Sequence, residues 1–267
     1  MPWSILNETF RGGWRGMIGW GMGLGLLGLV IMIIIPNIGM LKQFENLMTT
    51  MPAVVKALGM EDAAQMATPE GFISAGYFGR VLLIMAVYAV LAGLNVSANE
   101  EDAGIMDMVL SLPVARWRII LEKFAAYTLM SIVIVMMGFI GLYLGGITSA
   151  IQVDAGKVFI SSINMLPSIW LMLAFTMWAG TFFRRKNQAT AVAAFFIVGS
   201  YIVDFAGSAA SESPIARLRA VSFFAYYDNA HVMQTGLNGG YMVLLLGITV
   251  ILVAASVWCF QRRDING

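Results

Sequence analysis

Six long stretches of the chain contain no Asp, Glu, Lys, Arg or His, and they constrain the fold more than any other feature. They are 17 to 30 residues long and cover Met17–Ile35, Val81–Asn99, Phe124–Val153, Val158–Phe183, Asn187–Val203 and Val232–Gln261. A helix needs about 20 largely apolar residues to cross a bilayer. Because the apolar residues are continuous rather than alternating, the strands of a membrane barrel are disfavoured. The pattern predicts an all-α integral membrane protein with six transmembrane helices.

The composition leads to the same class of protein. Hydrophobic residues make up 59% of the chain and charged residues only 12%, whereas soluble domains have about 45–50% and about 25%. An ordinary soluble enzyme and a disordered protein are therefore excluded. The net charge of +1 gives no basic field for nucleic acid. Cys259 is the only cysteine, so the chain cannot form a disulfide with itself.

We predict a single transmembrane domain over residues 1–267. The polar residues between the apolar stretches set the boundaries of the spans. The spans are expected at about 17–36, 77–97, 120–146, 160–183, 187–205 and 237–260. Residues 1–16 mix Trp3 and Trp14 with Arg11 and Arg15, which predicts an interfacial elbow helix lying on the membrane before span one. Thr68, Pro69 and Glu70 have the pattern of a helix start, with proline at the first helical position.

Basic residues predict the orientation, because they concentrate in cytoplasmic segments close to the ends of spans. With the N-terminus inside, ten Lys and Arg residues fall on the inner side and six on the outer side. Both termini are therefore expected in the cytoplasm.

Residues 98–116, between spans two and three, are the most informative polar segment. Glu100, Glu101 and Asp102 suit a helix N-terminus, and Pro113 ends the helix. The residues between Asp102 and Pro113 have an apolar face, which predicts a short amphipathic helix on the cytoplasmic side. This face needs lipid headgroups or another protein as its partner. Eight of the 31 charged residues lie between Glu100 and Lys123, which favours a protein docking there.

Residues 100–124 read EEDAGIMDMVLSLPVARWRIILEKF. This stretch resembles the signature of permease subunits of the ABC-2 exporter family, in which an acidic pair and a glycine precede a leucine-serine-x-proline sequence, an arginine and a later lysine. Similarity extends over essentially the whole chain, including the segment SFFAYYD at residues 222–228 and the Arg262-Arg263-Asp264 end.

The resemblance implies a function and a set of partners. The chain would be the permease subunit of an ATP-driven exporter of a hydrophobic or amphipathic substrate, paired with a second permease copy (homo- or heterodimer) and with cytosolic ABC ATPase subunits. No cofactor is expected on this chain, since ATP and Mg would be held by the ATPase. The expected location is a bacterial or archaeal plasma membrane. The helix at residues 98–116 would be the coupling helix, with that role placed on Glu100, Glu101, Gly104, Leu110, Pro113 and Arg116.

Glycines are concentrated in span one. The spacing Gly23-x-Gly25-x-x-Gly28 matches a dinucleotide fingerprint, but it lies within an apolar span, so helix packing is the better interpretation. Gly19/Gly23 and Gly21/Gly25 are small-x-x-x-small pairs that let helix backbones approach closely, either within the chain or across a dimer.

Arg80 and Asp204 lie near the outer ends of spans two and five. Charges at membrane depth are candidates for function, so both are possible substrate-pathway residues; the simpler interpretation is that they reach the outer headgroups. No catalytic set and no metal site is predicted, because His231 is the only histidine and has no matched partner.

The alternative function is a secondary transporter driven by an ion gradient. Such proteins normally have carboxylates near the membrane midplane and internal repeats. Neither is evident in this sequence, so an ATP-driven permease is the leading prediction.

Overall fold

The computed structural model describes residues 4–34, 50, 68–99, 115–148, 153–183, 185–209 and 214–262, and all regular structure within them is helical. The α-helices are α1 (Ser4–Ile34), α2 (Pro69–Ile73), α3 (Gly79–Val96), α4 (Arg116–Thr148), α5 (Ala155–Phe182), α6 (Lys186–Ala209), α7 (Asn229–Thr235) and α8 (Gly239–Arg262). A π-helical turn, Ser74–Phe78, joins α2 to α3, and two 3₁₀ turns, Pro214–Val221 and Phe223–Tyr226, precede α7.

Six helical units are long and apolar enough to cross a membrane: α1, the continuous α2–α3 unit, α4, α5, α6 and α8. The predicted class, an all-α membrane protein with six transmembrane helices, is confirmed. Span two begins at Pro69, earlier than the predicted residue 77. The Thr68 hydroxyl accepts a hydrogen bond from the Gly71 N–H at 3.1 Å, so the predicted helix start at Thr68 and Pro69 is confirmed.

The N-terminal segment differs from the sequence-based expectation. Residues 4–34 form one uninterrupted helix, so the structure does not confirm a separate interfacial elbow helix: residues 4–16 continue directly into span one. The physical reason is that this stretch contains no proline and packs along α4 over much of its length. Gly13 lies beside Met130 and Gly25 lies beside Gly141, which fixes α1 and α4 as a parallel pair.

Contacts between the other spans alternate in direction along the chain. Lys123 of α4 donates a hydrogen bond to the carbonyl oxygen of Val96, and the Tyr88 hydroxyl donates one to the carbonyl oxygen of Tyr127. Helices α3 and α4 are therefore antiparallel. Trp170 donates to Ser131, and Phe159 packs against Phe139, so α5 is antiparallel to α4. One end of the bundle is formed by Ser4, 96–99, 115–123, 182–189 and 260–262; we call it the base, and the opposite end the top.

The best-buried membrane helix is α5. Ile169, Leu173 and Met177 on this helix are completely buried. By contrast, α6 and α8 carry many exposed apolar side chains, among them Phe195, Val243 and Val250. Such faces suit contact with lipid, because hydrocarbon is as apolar as these side chains.

Candidate coupling site at the base of the bundle

Five of the residues predicted to couple to an ATPase, Glu100, Glu101, Gly104, Leu110 and Pro113, lie outside the described residues. The sixth, Arg116, is the first residue of α4 and is exposed. Both attachment points of the predicted coupling segment are described: the end of α3 at residues 96–99 and the start of α4 at residue 115. Both lie at the base, so the segment is anchored there at each of its ends.

The end of α3 rests against α5 at a close contact. Val96 is completely buried in a cluster with Ile120, Met177 and Phe260. A Cβ added at Gly180 would lie 3.1 Å from the hydroxyl of Ser97 and 3.3 Å from the Cβ of Ala98. This spacing is tight enough that a side chain at position 180 would press on the chain entering the coupling segment.

Lys123 links the start of α4 to the end of α3. Its side chain is buried, with the residue only 5% exposed, and its Nζ donates a hydrogen bond to the carbonyl oxygen of Val96 at 3.4 Å. The carbonyls at a helix C-terminus carry partial negative charge and lack partners within the helix, so a cation there is favourable. Lys123 therefore joins the two helices that flank the coupling segment.

Glu122 holds the N-terminus of α1. The residue is 4% exposed, and its Oε2 accepts hydrogen bonds from the backbone N–H groups of Ile5 and Leu6, both at 3.1 Å. Its Oε1 accepts from Nε of Arg118 at 2.5 Å. The first amides of a helix lack partners within the helix and carry partial positive charge. A buried carboxylate at this point satisfies two of them and is itself compensated by an arginine.

Glu122 and Lys123 thus attach three helix ends to one another, yet neither is among the coupling residues predicted from the sequence. A signal was present: two adjacent opposite charges at the start of an apolar span, where charges are expected to have partners. The identity of those partners, an α1 N-terminus and an α3 C-terminus, follows only from the packing.

The four span-one glycines predicted to pack divide into two pairs. A Cβ at Gly21 would overlap the Met137 side chain, and one at Gly25 would lie 3.1 Å from the Met137 carbonyl oxygen, so this pair faces α4. Gly19 and Gly23 have no atom within 4 Å of such a Cβ, and both line an open groove of about 560 Å³. Of the two alternatives, contact within the chain applies to Gly21 and Gly25.

Arg80 and Asp204 have different partners and do not pair with each other. The Nη1 of Arg80 donates to the carbonyl oxygens of Gly76 at 2.9 Å and Ala75 at 3.4 Å, in the π-helical turn of its own span. Oδ1 of Asp204 accepts from Nε of Arg219 at 2.9 Å. Their role in a substrate pathway stays a prediction.

A buried polar cluster lies near the top of the bundle. The Tyr227 hydroxyl donates to the carbonyl oxygen of Phe78, and Nδ2 of Asn164 donates to the carbonyl oxygen of Tyr227 at 2.5 Å. Asn229 donates to the hydroxyl of Ser74 at 3.2 Å. Burial, with the phenol of Tyr77 nearby, holds the pKa of Tyr227 well above its ordinary value, so this phenol is a neutral donor.

The fold and the charged contacts at its base define a multi-pass helical membrane protein whose second and third spans are joined at the base by the buried Lys123. Comparison with known proteins gives the family. A family model described as "ABC-2 family transporter protein" matches residues 17–265, which is most of the chain. The chain therefore belongs to the ABC-2 family of transporter proteins.

A relative in Stutzerimonas stutzeri is described as "Probable ABC transporter permease protein NosY". It is 24% identical over 197 residues, covering 72% of this chain and 63% of the relative. The match thus spans a little under two thirds of the relative's length.

Proposed function

We propose that the chain is the membrane-spanning permease subunit of an ATP-driven exporter for a hydrophobic or amphipathic substrate. The observation that carries the proposal is the family match over residues 17–265, supported by the permease description of the relative. ATP hydrolysis, with ATP and Mg²⁺, belongs to separate cytosolic ABC ATPase subunits. The chain itself supplies the path, the docking segment and the mechanical link between them.

The contacts at the base support such a link. The ATPase docks on residues 98–116, with charged residues such as Glu101 and Arg116 setting its orientation. Lys123 joins α4 to the end of α3, and Glu122 joins α4 to the start of α1. When the ATPase subunits approach each other on binding ATP, these three helices move as one rigid unit. The path then opens at the top.

The arrangement in the membrane follows from the family and from the charge distribution. Two copies of the permease, identical or closely related, enclose the path and bind two ATPase subunits. Both termini and the base face the cytoplasm, because ten of sixteen Lys and Arg residues fall on that side. The location is the plasma membrane of a bacterial or archaeal cell.

Purification from the native host tests the proposal. The tagged chain is extracted in mild detergent, and its companions are identified by mass spectrometry and by ATPase activity. We expect an ABC ATPase to co-purify, and the variants Glu101→Lys and Arg116→Glu to lose it. Arg217→Glu is the matched control, because Arg217 is an exposed arginine at the top of the bundle.

The alternative, a secondary transporter, makes the opposite prediction. Flux by the chain alone in proteoliposomes, dependent on a proton gradient and indifferent to ATP, would overturn the proposal. Loss of the ATPase in Arg217→Glu to the same degree as in Arg116→Glu would also contradict docking at the base.

A further inference from the structure

A long groove runs between α4 and α8 near the base. Its volume is about 640 Å³, within the range of about 300–1,000 Å³ that is typical of small-ligand sites. Its wall is almost entirely apolar. The wall is formed by Trp117, Leu121, Phe124, Thr249, Val250 and Val253, with Arg118 and Glu122 at the basal end. Both helices that line the groove are long and apolar enough to cross a membrane, so the groove lies at the depth of the bilayer.

The basal end of this groove has a basic and aromatic rim. Arg116 and Arg118 lie in the first turn of α4, on either side of Trp117, which is 46% exposed. Phe260 packs with Ile120, which brings the last turn of α8 beside the first turn of α4. That turn ends at Arg262, whose guanidinium lies 4.4 Å from the ring centre of Trp258.

The charge at the rim favours an anion. Arg118 and Glu122 line the groove and form an ion pair, so the net positive charge comes from Arg116 and Arg262 in the adjacent helix turns. Tryptophan and arginine together are typical of the headgroup level of a membrane, and basic pockets between membrane helices bind anionic headgroups. An apolar groove next to such a rim matches a phospholipid, in which an apolar acyl chain lies next to an anionic phosphate.

We propose that this groove is a binding site for one anionic phospholipid, with an acyl chain along α8 and the phosphate on the arginine rim. The groove lies near the base, away from the possible pathway residues Arg80 and Asp204. A lipid bound there would lie against Arg118 and Glu122, and so beside the contact that holds the N-terminus of α1.

Native mass spectrometry of the full chain tests this. The protein is delipidated in detergent, and an equal mixture of dioleoyl phosphatidylglycerol and dioleoyl phosphatidylcholine is added. We expect the wild-type chain to retain one phosphatidylglycerol in at least fivefold preference over phosphatidylcholine, since a single arginine near an anionic lipid contributes a gain of about fivefold. Equal retention of the two lipids would overturn the proposal.

Two variants locate the site. Val253→Trp fills the groove, so retention of phosphatidylglycerol should fall to the level of phosphatidylcholine. Val243→Trp makes the same substitution at a 71% exposed position toward the other end of α8 and should behave as the wild-type chain. Arg262→Gln leaves the groove open and should lower only the preference for the anionic lipid. Equal retention by Val253→Trp and Val243→Trp would contradict the assignment.

Discussion

Glu122 is the residue whose environment differs most from what its neighbours in sequence suggest. It begins an apolar span, yet it is almost completely buried and accepts three hydrogen bonds, two from the backbone of a helix more than a hundred residues away. Hydrogen bonds to a charged group are worth about 1.5–3 kcal/mol each, and a buried group left without its partner loses more than one that is exposed. The stability of the base therefore depends strongly on this carboxylate.

Replacing Glu122 should destabilise the protein much more than replacing an exposed acid. Glu122→Ala leaves two amides and Arg118 without their acceptor, which is expected to cost about 3 kcal/mol and to lower Tm by about 5–10 °C in detergent. Glu70→Ala is the control, because the Glu70–Lys157 pair is partly exposed and such pairs contribute little. Equal Tm values for the two variants would contradict the role given to Glu122.

Tyr227 predicts a pH dependence at the top of the bundle. Its pKa is raised by burial, so its neutral phenol contributes fully below the ordinary tyrosine pKa of about 10. That contribution is lost as the pH rises above this value, because the unfolded state then releases the proton more readily. We expect Tm to fall between pH 9 and pH 11.5, at about the ordinary pKa and above, and to fall less steeply in Tyr227→Phe.

Thermal unfolding of both proteins across this pH range gives the comparison. The remaining tyrosines titrate in both chains, so the difference between the two curves isolates Tyr227. Parallel curves would contradict a raised pKa for Tyr227 in the folded protein.

At the scale of single residues, the sequence identified which charges were unusual but not what they bind. Arg80 and Asp204 stood out because they lie near span ends. Their partners, carbonyls of a π-helical turn and Arg219 of a 3₁₀ turn, belong to irregular segments that no periodic pattern predicts. The partner of a charged side chain depends on which elements are neighbours in the tertiary structure.

The contact between α1 and α4 brings two glycines together, Gly25 on α1 and Gly141 on α4. A Cβ at Gly141 would overlap the backbone of Gly25, and one at Gly145 would lie 2.6 Å from the Cβ of Met32. Backbone atoms cannot move aside as a flexible side chain can, so the contact depends on the absence of a side chain.

Gly141→Ala should therefore separate the two helices. Overpacking of this kind costs about 1–3 kcal/mol, or more against backbone, and should lower Tm by several degrees. Gly19→Ala is the matched control: a methyl group there meets nothing within 4 Å and adds helix propensity, so its Tm should be unchanged or slightly higher. A Gly141→Ala protein as stable as Gly19→Ala would contradict the packing described here.

At the scale of helices, the apolar runs predicted the number and approximate position of the spans, because length and hydropathy are local properties. They did not predict that α1 is continuous from Ser4 to Ile34. Tryptophan and arginine in residues 1–16 are equally compatible with a surface helix and with the basal turns of a long span. The hydrogen bonds from Ile5 and Leu6 to Glu122 and the packing against α4 favour the long span.

The molecule as a whole predicts an assembly. If the chain is a permease half, its purified complex should contain two permease subunits, one or both of them this 29.0 kDa chain, and two ATPase subunits. Native mass spectrometry of the complex from the native host measures this directly. Glu101→Lys should leave the permease without its ATPase subunits. A wild-type complex with a single permease copy would contradict the dimer.

At this scale the family signature in residues 100–124 predicted the base as the place where a partner docks. It could not predict how the base is held together, because that depends on α1, α3 and α4 meeting at one point. The five predicted coupling residues from Glu100 to Pro113 lie outside the described residues, so their role stays a prediction.

The cap on α1 also bears on the order in which the chain is assembled. The amides of Ile5 and Leu6 are synthesised first, and the carboxylate that binds them follows 116 to 117 residues later. During translation, the first span therefore enters the membrane before its cap exists. Its N-terminal turn is completed only when the third span arrives beside it. The pairing of spans one and three is thus the earliest point at which a growing chain can form this cap, and truncation before residue 122 leaves the N-terminus of α1 without it.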